Sequence, residues 1–284
     1  MSMQGMRAVI TGGTSGIGRT VVNEFVAAGA QVVFCGRNQE RGRAVAASLG
    51  NRAEFVPADV TDPGDIDRLI ASAAAGGGID CLVNNAAESE PVAFGQLTGE
   101  ALDHAMRSVF GSVVLTSQAA AHAMRASGRK GVIVNIGSSA GFRPNSSPAV
   151  YSSLKAAVMY LTRCLAMELA PHGIRVNSVS PGAIPTPIFS RSMGVSDLPE
   201  NEALAVIGDA LSSVMPMQRC GTPHDIARAV LFIADPNSGY ITGTDLMVDG
   251  GLTAGNTPLG RATEWARVGE AVAAGRKAAG VATA

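Results

Sequence analysis

The chain has 284 residues, of which 46% are hydrophobic and 16% are charged, and its formal net charge is -1. This composition excludes disordered and fibrous proteins and is sufficient for one sizeable core. Acidic and basic residues are interspersed, so there is no broad basic field that would attract nucleic acid or an anionic membrane. We therefore expect a small molecule as the partner, with no nucleic acid and no membrane.

The cysteines and histidines indicate neither a disulfide framework nor a metal site. Four of each are scattered along the chain, without a C-x-x-C pair or a cluster with zinc-ligand spacing. We predict buried free thiols and no bound metal. No apolar run approaches the roughly 20 residues of a membrane span, and the first residues lead into a short strand rather than a signal-peptide core. These features predict a soluble, cytoplasmic protein.

The first predicted strand, 8–10, leads into a glycine-rich segment, 11–18, with the sequence TGGTSGIG. Apolar residues at helical spacing follow, so the order is strand, glycine turn and helix. Glycines let the backbone approach a pyrophosphate closely, and the amides at the start of a helix stabilise its charge. The alternative interpretation is a turn without a ligand. The glycine spacing, with Gly12, Gly16 and Gly18, differs from the common dinucleotide fingerprint G-x-G-x-x-G.

The residues after the next two predicted strands bear on a nucleotide ligand. The strand 31–35 ends in Gly36-Arg37, at the point where an open sheet of this kind meets an adenosine ribose. An acidic residue there would bind the 2′-hydroxyl of NAD, whereas arginine suits the 2′-phosphate of NADP through bidentate hydrogen bonds. NADP(H) is therefore expected in preference to NAD(H). The strand 53–56 leads to Asp59, which can accept a hydrogen bond from the adenine amino group or cap a helix.

The rest of the chain alternates between predicted strands and helices. After the strand 81–83, Asn84-Asn85-Ala86-Ala87 offers amides that can brace neighbouring strand ends and small side chains that leave room for a flat ring. The elements that follow are a helix at 100–126, a strand at 131–136, a helix from Val150 to about Leu169 and a strand at 174–179. This order predicts an α/β fold, a single-domain Rossmann-like doubly wound parallel sheet with helices on both faces. Its ligand would bind at the carboxyl ends of the strands.

The helix from Val150 carries Tyr151 and Lys155 in its first turns. Side chains four positions apart lie on one face of a helix, so the phenol and the ammonium can point into one cleft. A nearby cation favours the phenolate, which would move the pKa of Tyr151 from ~10 toward the neutral range that suits proton transfer. By itself, the Tyr-x-x-x-Lys pattern also occurs on surface helices, where the pair contributes only a few tenths of a kcal/mol.

Taken together, these motifs resemble the short-chain dehydrogenase/reductase family in their order and spacing. They are the glycine-rich segment 11–18, Asn84-Asn85-Ala86-Ala87, Ser138, Tyr151-x-x-x-Lys155 and Pro181-Gly182, within about residues 5 to 253. The resemblance implies that Ser138 holds the substrate oxygen, that Tyr151 is the general acid/base, and that Lys155 binds the nicotinamide ribose and lowers the pKa of Tyr151. It also implies a homodimer or a homotetramer.

The resemblance further implies an NAD(P)-dependent oxidoreductase. Hydride would pass between C4 of the nicotinamide and the carbonyl carbon of a ketone or secondary alcohol, while Tyr151 transfers a proton to or from the oxygen. The residues implied to contact the cofactor are Gly12, Thr14, Ser15, Gly16, Ile17, Gly18, Arg37, Asp59, Val60, Asn85, Ala86, Tyr151, Lys155, Pro181, Gly182, Ile184 and Thr186.

Two positions depart from the family pattern. The family usually has glycine where this chain has Ala87, and it has a catalytic asparagine in the middle of the predicted helix 100–126, where this chain has none. That asparagine is thought to hold a water that links the lysine to solvent, so the proton relay is either lost or rebuilt with Ser108, the best-aligned position, with Val109 as the other. The alternative functions are a catalytically weak NADP-binding sensor or assembly protein, and an isomerase or dehydratase that uses transient oxidation.

The predicted organisation is a catalytic domain, 1–252, followed by a tail, 253–284, that is rich in alanine and glycine. Within the domain, 185–222 is predicted as a long irregular lid whose apolar residues either suit an aliphatic or ring-containing substrate or only pack onto the core. The segments 88–90 and 142–144 are expected at the mouth of the site.

The tail contains apolar residues at helical spacing, Trp265, Val268 and Val272. They predict one short helix that packs on a neighbouring subunit or on the lid. The alternative is a disordered tail.

Overall fold

The computed structural model describes residues 1–88, 92–144, 147–187, 195, 197–213, 215–255 and 265–274. Within these residues, seven parallel strands form one sheet in the order β3-β2-β1-β4-β5-β6-β7. The strands are β1 Arg7–Ile10, β2 Gln31–Gly36, β3 Ala53–Pro57, β4 Cys81–Asn84, β5 Val132–Ile136, β6 Arg175–Pro181 and β7 Asp245–Val248. The predicted doubly wound parallel sheet is confirmed, and β7 is the strand that the pattern of the sequence did not indicate.

Helices cover both faces of the sheet. They are α1 Gly16–Ala27, α2 Gln39–Leu49, α3 Pro63–Ala75, α4 Gly99–Ala105, α5 Ser112–Ala126, α6 Ser139–Phe142, α7 Ala149–Leu169, α8 Glu200–Ser212 and α9 Pro223–Ala234. A π-helix, Met106–Gly111, separates α4 from α5, so the helix predicted over 100–126 is not uniform.

The segment 185–222 is less irregular than predicted, because it contains α8. Ala203 and Ile207 lie four positions apart on α8 and are each 1% exposed, so one face of this helix is packed. The prolines that suggested an irregular segment all lie outside α8; they are Pro185, Pro187, Pro216 and Pro223. Residues 188–194 of the predicted lid lie outside the described residues.

The sheet separates two hydrophobic layers. On one face, Ile10 of β1 belongs to a cluster with Phe25 of α1 and Val230 of α9. On the other face, Val9 of β1 clusters with Leu69 of α3. Alternate residues of a strand face opposite sides of a sheet, so a continuous apolar strand such as β1 supplies both layers.

The crevice for a ligand arises where the strand order reverses. β1 pairs with β2 on one side and with β4 on the other, so the connections from these strands leave in opposite directions. In open α/β sheets, such a switch point opens a crevice at the carboxyl ends of the strands. The glycine-rich segment follows β1, and the Asn-Asn-Ala-Ala segment follows β4. Both predicted motifs therefore border this crevice.

The four cysteines are free. Cys35 and Cys81 are buried, as predicted, and burial raises the pKa of each thiol to about 12. Cys220 is partly exposed and Cys164 is exposed on α7, so the prediction of a buried thiol is wrong at Cys164. Among the described residues, no cluster of histidine, cysteine, aspartate or glutamate has the arrangement of a metal site. None of the described helices has both the length and the apolar character that a membrane crossing requires.

A helix spans 265–274 in the tail, which confirms the predicted short helix. The apolar side chains of its stripe are exposed, with 73% exposure at Trp265, 48% at Val268 and 57% at Val272. The packing of this stripe on another surface stays a prediction.

Candidate active site

The glycine-rich turn folds tightly over the end of β1. Gly12 and Gly16 have φ angles of 69° and 52°, in the left-handed region that favours glycine. A Cβ at Gly18 would overlap the carbonyl oxygen of Gly12 and the side-chain amide of Asn85. No side chain covers the backbone of the turn at these positions, so a phosphate can approach it closely.

The first helix begins at this turn without the groups that usually compensate its positive end. Ser15 at the N-cap makes no capping hydrogen bond through its side chain, and the first turn of α1 holds no acidic residue. A phosphate placed there would be stabilised by the helix amides and by the helix dipole. Thr186 borders the same place, since a Cβ at Gly16 would lie 3.4 Å from the Thr186 methyl carbon.

Hydrogen bonds of Asn85 and Thr11 connect the glycine-rich turn to the segment after β4. The side-chain nitrogen of Asn85 donates hydrogen bonds to the carbonyl oxygens of Thr11 (3.0 Å) and Gly12 (3.2 Å). The Thr11 hydroxyl accepts hydrogen bonds from the main-chain amides of Asn85 and Ala86, both at 3.0 Å. Asn85 therefore braces the turn, and its contact with a cofactor stays a prediction.

Asn84 and Asn135 brace the ends of β4 and β5, as we predicted for Asn84. The Asn84 amide donates to Asn135 Oδ1 and Ser117 Oγ, both at 2.9 Å. Thr116 Oγ1 donates to Asn84 Oδ1 at 2.6 Å, and Asn135 donates to Thr162 Oγ1 at 2.9 Å. All five side chains are buried. This network links two strands to α5 and α7, and α7 carries Tyr151 and Lys155.

Ser138, Tyr151 and Lys155 converge at the end of β5. Ser138 Oγ accepts a hydrogen bond from the Ala140 amide at 3.2 Å, and the Ser138 and Tyr151 side chains are hydrogen-bonded to each other. Lys155 Nζ lies 5.8 Å from the centre of the Tyr151 ring and donates to the Ile136 carbonyl oxygen at 2.7 Å. The three residues predicted to be catalytic thus form one cluster.

The position of Asp59 removes one of its two predicted roles. Asp59 Oδ1 accepts hydrogen bonds from the Thr61 amide (2.9 Å) and the Thr61 hydroxyl (2.8 Å). The N-cap of α3 is Asp62, so the helix-cap interpretation of Asp59 is wrong. A contact between Asp59 and the adenine stays a prediction. A contact between the neighbouring Val60, which is 8% exposed, and the cofactor also stays a prediction.

The segment after β6 places its predicted residues in different environments. Pro181 pairs with β7, and the Gly182 amide donates to the Val248 carbonyl oxygen at 3.0 Å. Ile184 is 2% exposed and its side chain belongs to the core, so only its main chain can reach a cofactor. Thr186 lies beside the glycine turn, as described above. Ile17 of α1 is likewise packed partly against the core.

Comparison with known proteins decides the family. A family model described as "Enoyl-(Acyl carrier protein) reductase" matches residues 12–253. The crystal structure of a short-chain type dehydrogenase/reductase from Mycobacterium marinum is 35% identical, with a TM-score of 0.80, and the match covers 89% of this chain and 98% of that chain. This chain belongs to the short-chain dehydrogenase/reductase family.

Two further relatives indicate the chemistry within the family. "Sorbitol dehydrogenase" of Cereibacter sphaeroides is 36% identical over 256 residues, which cover 88% of this chain and 98% of that protein. The crystal structure of 3-ketoacyl-(acyl-carrier-protein) reductase from Brucella melitensis, complexed with NADH, is 30% identical, with a TM-score of 0.79 and coverage of 89% and 100%. The family model ends at residue 253, so nearly all of the predicted tail lies outside the match.

The residues of this short-chain dehydrogenase/reductase fit a nicotinamide dinucleotide. The turn after β1 lacks the Cβ atoms that would block a phosphate, and α1 presents an uncompensated positive end to it. The crevice continues to the end of β5, where Lys155 and Tyr151 lie. Pyrophosphate and nicotinamide ribose can therefore be held by one continuous edge of the sheet.

Burial shifts the pKa values of the two titratable catalytic candidates. Lys155 is 4% exposed, and burial lowers its pKa from 10.5 to about 8. Burial also raises the pKa of Tyr151, and the hydrogen bond from Ser138 offsets this only in part. The expected lowering of the Tyr151 pKa by Lys155 is thus wrong for this structure, because the cost of burying a phenolate is the largest effect and the lowering comes from Ser138 rather than from Lys155. The Lys155 ammonium is bonded to a main-chain carbonyl oxygen instead.

Ser108 occupies the π-helix that packs against α7. It is 5% exposed, and its hydroxyl accepts a hydrogen bond from the Glu88 amide at 2.7 Å. Its carbonyl oxygen accepts a hydrogen bond from Ser112 Oγ at 2.6 Å. The Ser108 hydroxyl retains one proton to donate. The π-helix places Ser108 beside the catalytic helix, and π-helical turns of this kind are frequent at functional sites.

The contacts that two residues of the site make were not predicted from the sequence. Thr11 could have been noticed as a hydroxyl between a strand and a glycine turn. Glu88 carried no such signal, because its partners, Arg37 and Ser108, are distant in the sequence. Glu88 is predicted at the mouth of the substrate site, which stays a prediction; in the structure its carboxylate pairs with Arg37. Its neighbours at 89–90 lie outside the described residues.

We expect the substitution Gly18→Ala to lower the free energy of unfolding by about 2 kcal/mol and to weaken NADPH binding at least tenfold. The new methyl group would collide with the Gly12 carbonyl and the Asn85 amide, so the turn must open. Urea denaturation and fluorescence titration with NADPH measure the two effects. Gly99→Ala is the matched control, since a Cβ at Gly99 has no heavy atom within 4 Å. Equal NADPH affinity in the two variants would contradict the role of the turn.

Proposed function

We propose that this chain is an NAD(P)-dependent oxidoreductase that transfers hydride between a nicotinamide and the carbonyl carbon of a secondary alcohol or ketone. The observation that carries the proposal is the convergence of Ser138, Tyr151 and Lys155 at the end of β5, beside the crevice at the switch point. Membership of the family and the names of the relatives support it.

In the proposed mechanism, proton transfer occurs at the phenol oxygen of Tyr151. The nicotinamide supplies or accepts the hydride when it is bound. Tyr151 donates its proton to the substrate oxygen during reduction and takes it back during oxidation. The Ser138 hydroxyl, already hydrogen-bonded to Tyr151, holds the same substrate oxygen and orients it toward the phenol.

Lys155 serves this mechanism as a buried cation. With a pKa of about 8, its amine is mostly protonated at pH 7. One ammonium proton is used by the Ile136 carbonyl oxygen, and the other two can bind ribose hydroxyls. A positive charge at this place also stabilises the Tyr151 phenolate when it forms, which opposes the effect of burial.

Arg37 supports NADP(H) as the preferred cofactor. It follows β2 at the crevice, and its side chain is 59% exposed, so its guanidinium can rotate to form a bidentate contact with a 2′-phosphate. Thr14 packs against the preceding residue, Gly36. The residues 36–38 include no carboxylate that would select the 2′-hydroxyl of NAD(H).

We propose an apolar or ring-containing alcohol or ketone as the substrate. Several apolar side chains of the predicted lid are exposed where they are described, with 37% exposure at Leu198, 51% at Val206 and 60% at Met217. In the proposed function this segment borders the substrate site, where exposed apolar surface would favour an apolar ligand. The name of the sorbitol dehydrogenase supports secondary alcohols as a class.

The decisive experiment is a panel of ketones and secondary alcohols with each reduced and oxidised cofactor, followed by the absorbance of the reduced nicotinamide. Turnover of at least one apolar or cyclic substrate, with tighter binding of NADPH than of NADH in a fluorescence titration, is the expected result. Tight NADPH binding without any turnover would instead favour the sensor or assembly protein, which the absence of the helix asparagine supports. Product formation without net change in absorbance would favour an isomerase or dehydratase.

We propose that Ser108 rebuilds the proton relay of the missing asparagine. Ser108→Ala should lower kcat about tenfold while the dissociation constant of NADPH stays within about twofold. Ser108→Asn, which restores the residue usual in the family, should recover most of the lost kcat. A merely structural role would not produce this recovery. Wild-type kcat in Ser108→Ala would show that the hydroxyl takes no part.

We propose that the protein is cytoplasmic and assembles as a homodimer or homotetramer. Apolar side chains on α5 and α7 are exposed, with 37% exposure at Leu115 and 79% at Met167. The proposed catalytic domain is 1–252, and the proposed tail is 253–284. Analytical ultracentrifugation of the full chain tests the assembly. Activity assays of the full chain and of a chain ending at residue 252 test the domain boundary. A monomeric full chain or an inactive short chain would contradict them.

A further inference from the structure

An ion pair crosses the crevice at its adenosine end. Arg37 Nη2 and Glu88 Oε2 are 2.6 Å apart. Arg37 follows β2 and Glu88 follows β4, and β1 lies between these two strands in the sheet. The ion pair therefore passes over the carboxyl end of β1, where the glycine turn begins.

Glu88 is the better fixed of the two partners. Its main-chain amide donates to the Oγ of the buried Ser108 at 2.7 Å, and its carboxylate lies 3.9 Å from His104 Nε2. The side chain of Glu88 is 29% exposed, whereas that of Arg37 is 59% exposed. Arg37 can thus turn away from the pair while the carboxylate of Glu88 stays at the crevice.

We propose that Glu88 is a second residue that determines cofactor specificity, because its carboxylate competes with the 2′-phosphate of NADP(H) for Arg37. This inference rests on the proposed function. To bind Arg37, a 2′-phosphate must break the ion pair between Arg37 and Glu88, and it then lies near the negative charge of the Glu88 carboxylate. Glu88 therefore weakens NADP(H) binding. NAD(H) lacks this phosphate and does not compete for Arg37. Glu88 therefore reduces the preference for NADP(H) that Arg37 alone would produce.

The test is the ratio of the dissociation constants of NADH and NADPH, measured on the full chain by the fluorescence of the reduced cofactors. Glu88→Gln keeps the main-chain bond to Ser108 and removes only the charge. It should raise the ratio about five- to tenfold, through tighter NADPH binding, with NADH binding changed less than about twofold. In an Arg37→Gln background, the same substitution should change the ratio less than about twofold, because Glu88 acts through Arg37.

Glu24→Gln is the matched control. The Glu24 side chain is 31% exposed and links α1 to α9 through an ion pair with His224. Glu24→Gln changes the net charge of the protein by the same amount as Glu88→Gln. It should leave the ratio unchanged, and Glu88→Ala should reproduce the effect of Glu88→Gln. If the wild type binds both cofactors and Glu88→Gln shifts the ratio less than twofold, the inference is wrong and the proposed function stands. If the wild type binds neither cofactor, both fail.

Discussion

Replacing Tyr151 by phenylalanine is expected to lower kcat for every reduced carbonyl by about a thousandfold, while NADPH binding stays within about twofold of the wild type. The phenol oxygen is hydrogen-bonded to Ser138, and no other acid in the described cluster can deliver a proton to the same place. Lys155 is the nearest cation, but its ammonium is bonded to the Ile136 carbonyl oxygen. Stopped-flow single-turnover kinetics with NADPH separate the chemical step from binding.

Tyr160→Phe is the control for this experiment. Tyr160 lies on the same helix but is 66% exposed, so the loss of its hydroxyl should change neither kcat nor the free energy of unfolding. Activity of Tyr151→Phe comparable with that of Tyr160→Phe would refute Tyr151 as the general acid/base and with it the proposed mechanism.

Replacing Lys155 by methionine is expected to yield a protein that is at least a hundredfold less active and yet more stable at pH 7. The pKa of Lys155 falls from 10.5 to about 8 on folding, because the ammonium is buried. Two and a half pH units correspond to about 3 kcal/mol of destabilisation. Methionine has a similar length and carries no charge, so it removes this cost, but it also loses the bond from the ammonium to the Ile136 carbonyl oxygen, worth about 2 kcal/mol. The net gain should be about 1 kcal/mol.

The difference in stability between the wild type and Lys155→Met is expected to depend on pH. Below pH 8, Lys155 is protonated in both the folded and the unfolded state, so the full burial cost is present. Between pH 8 and pH 10.5, the unfolded chain binds the proton more strongly, and the stability of the wild type rises with pH relative to that of Lys155→Met. Urea denaturation of both proteins at pH 7 and pH 10 measures this change.

Lys130→Met serves as the reference for the replacement of an exposed lysine, measured in the same pH window. If Lys155→Met were less stable than the wild type at pH 7, with a difference that did not vary with pH, the ammonium would not be buried at a cost. Retained activity would separately show that Lys155 does not hold the reacting groups.

The sheet could be predicted because its signals are local. A strand such as β4, with the sequence CLVN, is apolar throughout, and the helix periodicity before and after it leaves only a parallel arrangement. The positions of Tyr151 and Lys155 on one helix face follow from the same local geometry. β7 escaped prediction because its segment, 239–251, is rich in glycine.

Other features depend on contacts between distant parts of the chain. The sequence offers no means of foreseeing the π-helix at 106–111, which divides a segment of unbroken helical character. The direction of the Tyr151 pKa was mispredicted because spacing indicates the neighbouring charge but not the depth of burial. Ile184 was expected near a ligand by resemblance, whereas its side chain fills the core.

The polar links of Asn84 and Asn135 affect how this protein can evolve. Hydrophobic contacts allow neighbouring elements to slide, but directional amide and hydroxyl bonds in a dry interior permit only one register. The helix with Tyr151 is held to the sheet by such bonds through Thr162. In the proposed function, 185–222 is the substrate lid, so mutations there would change the substrate without moving the Tyr151 phenol away from the substrate oxygen. Choice of substrate and transfer of the proton would then depend on separate parts of the same chain.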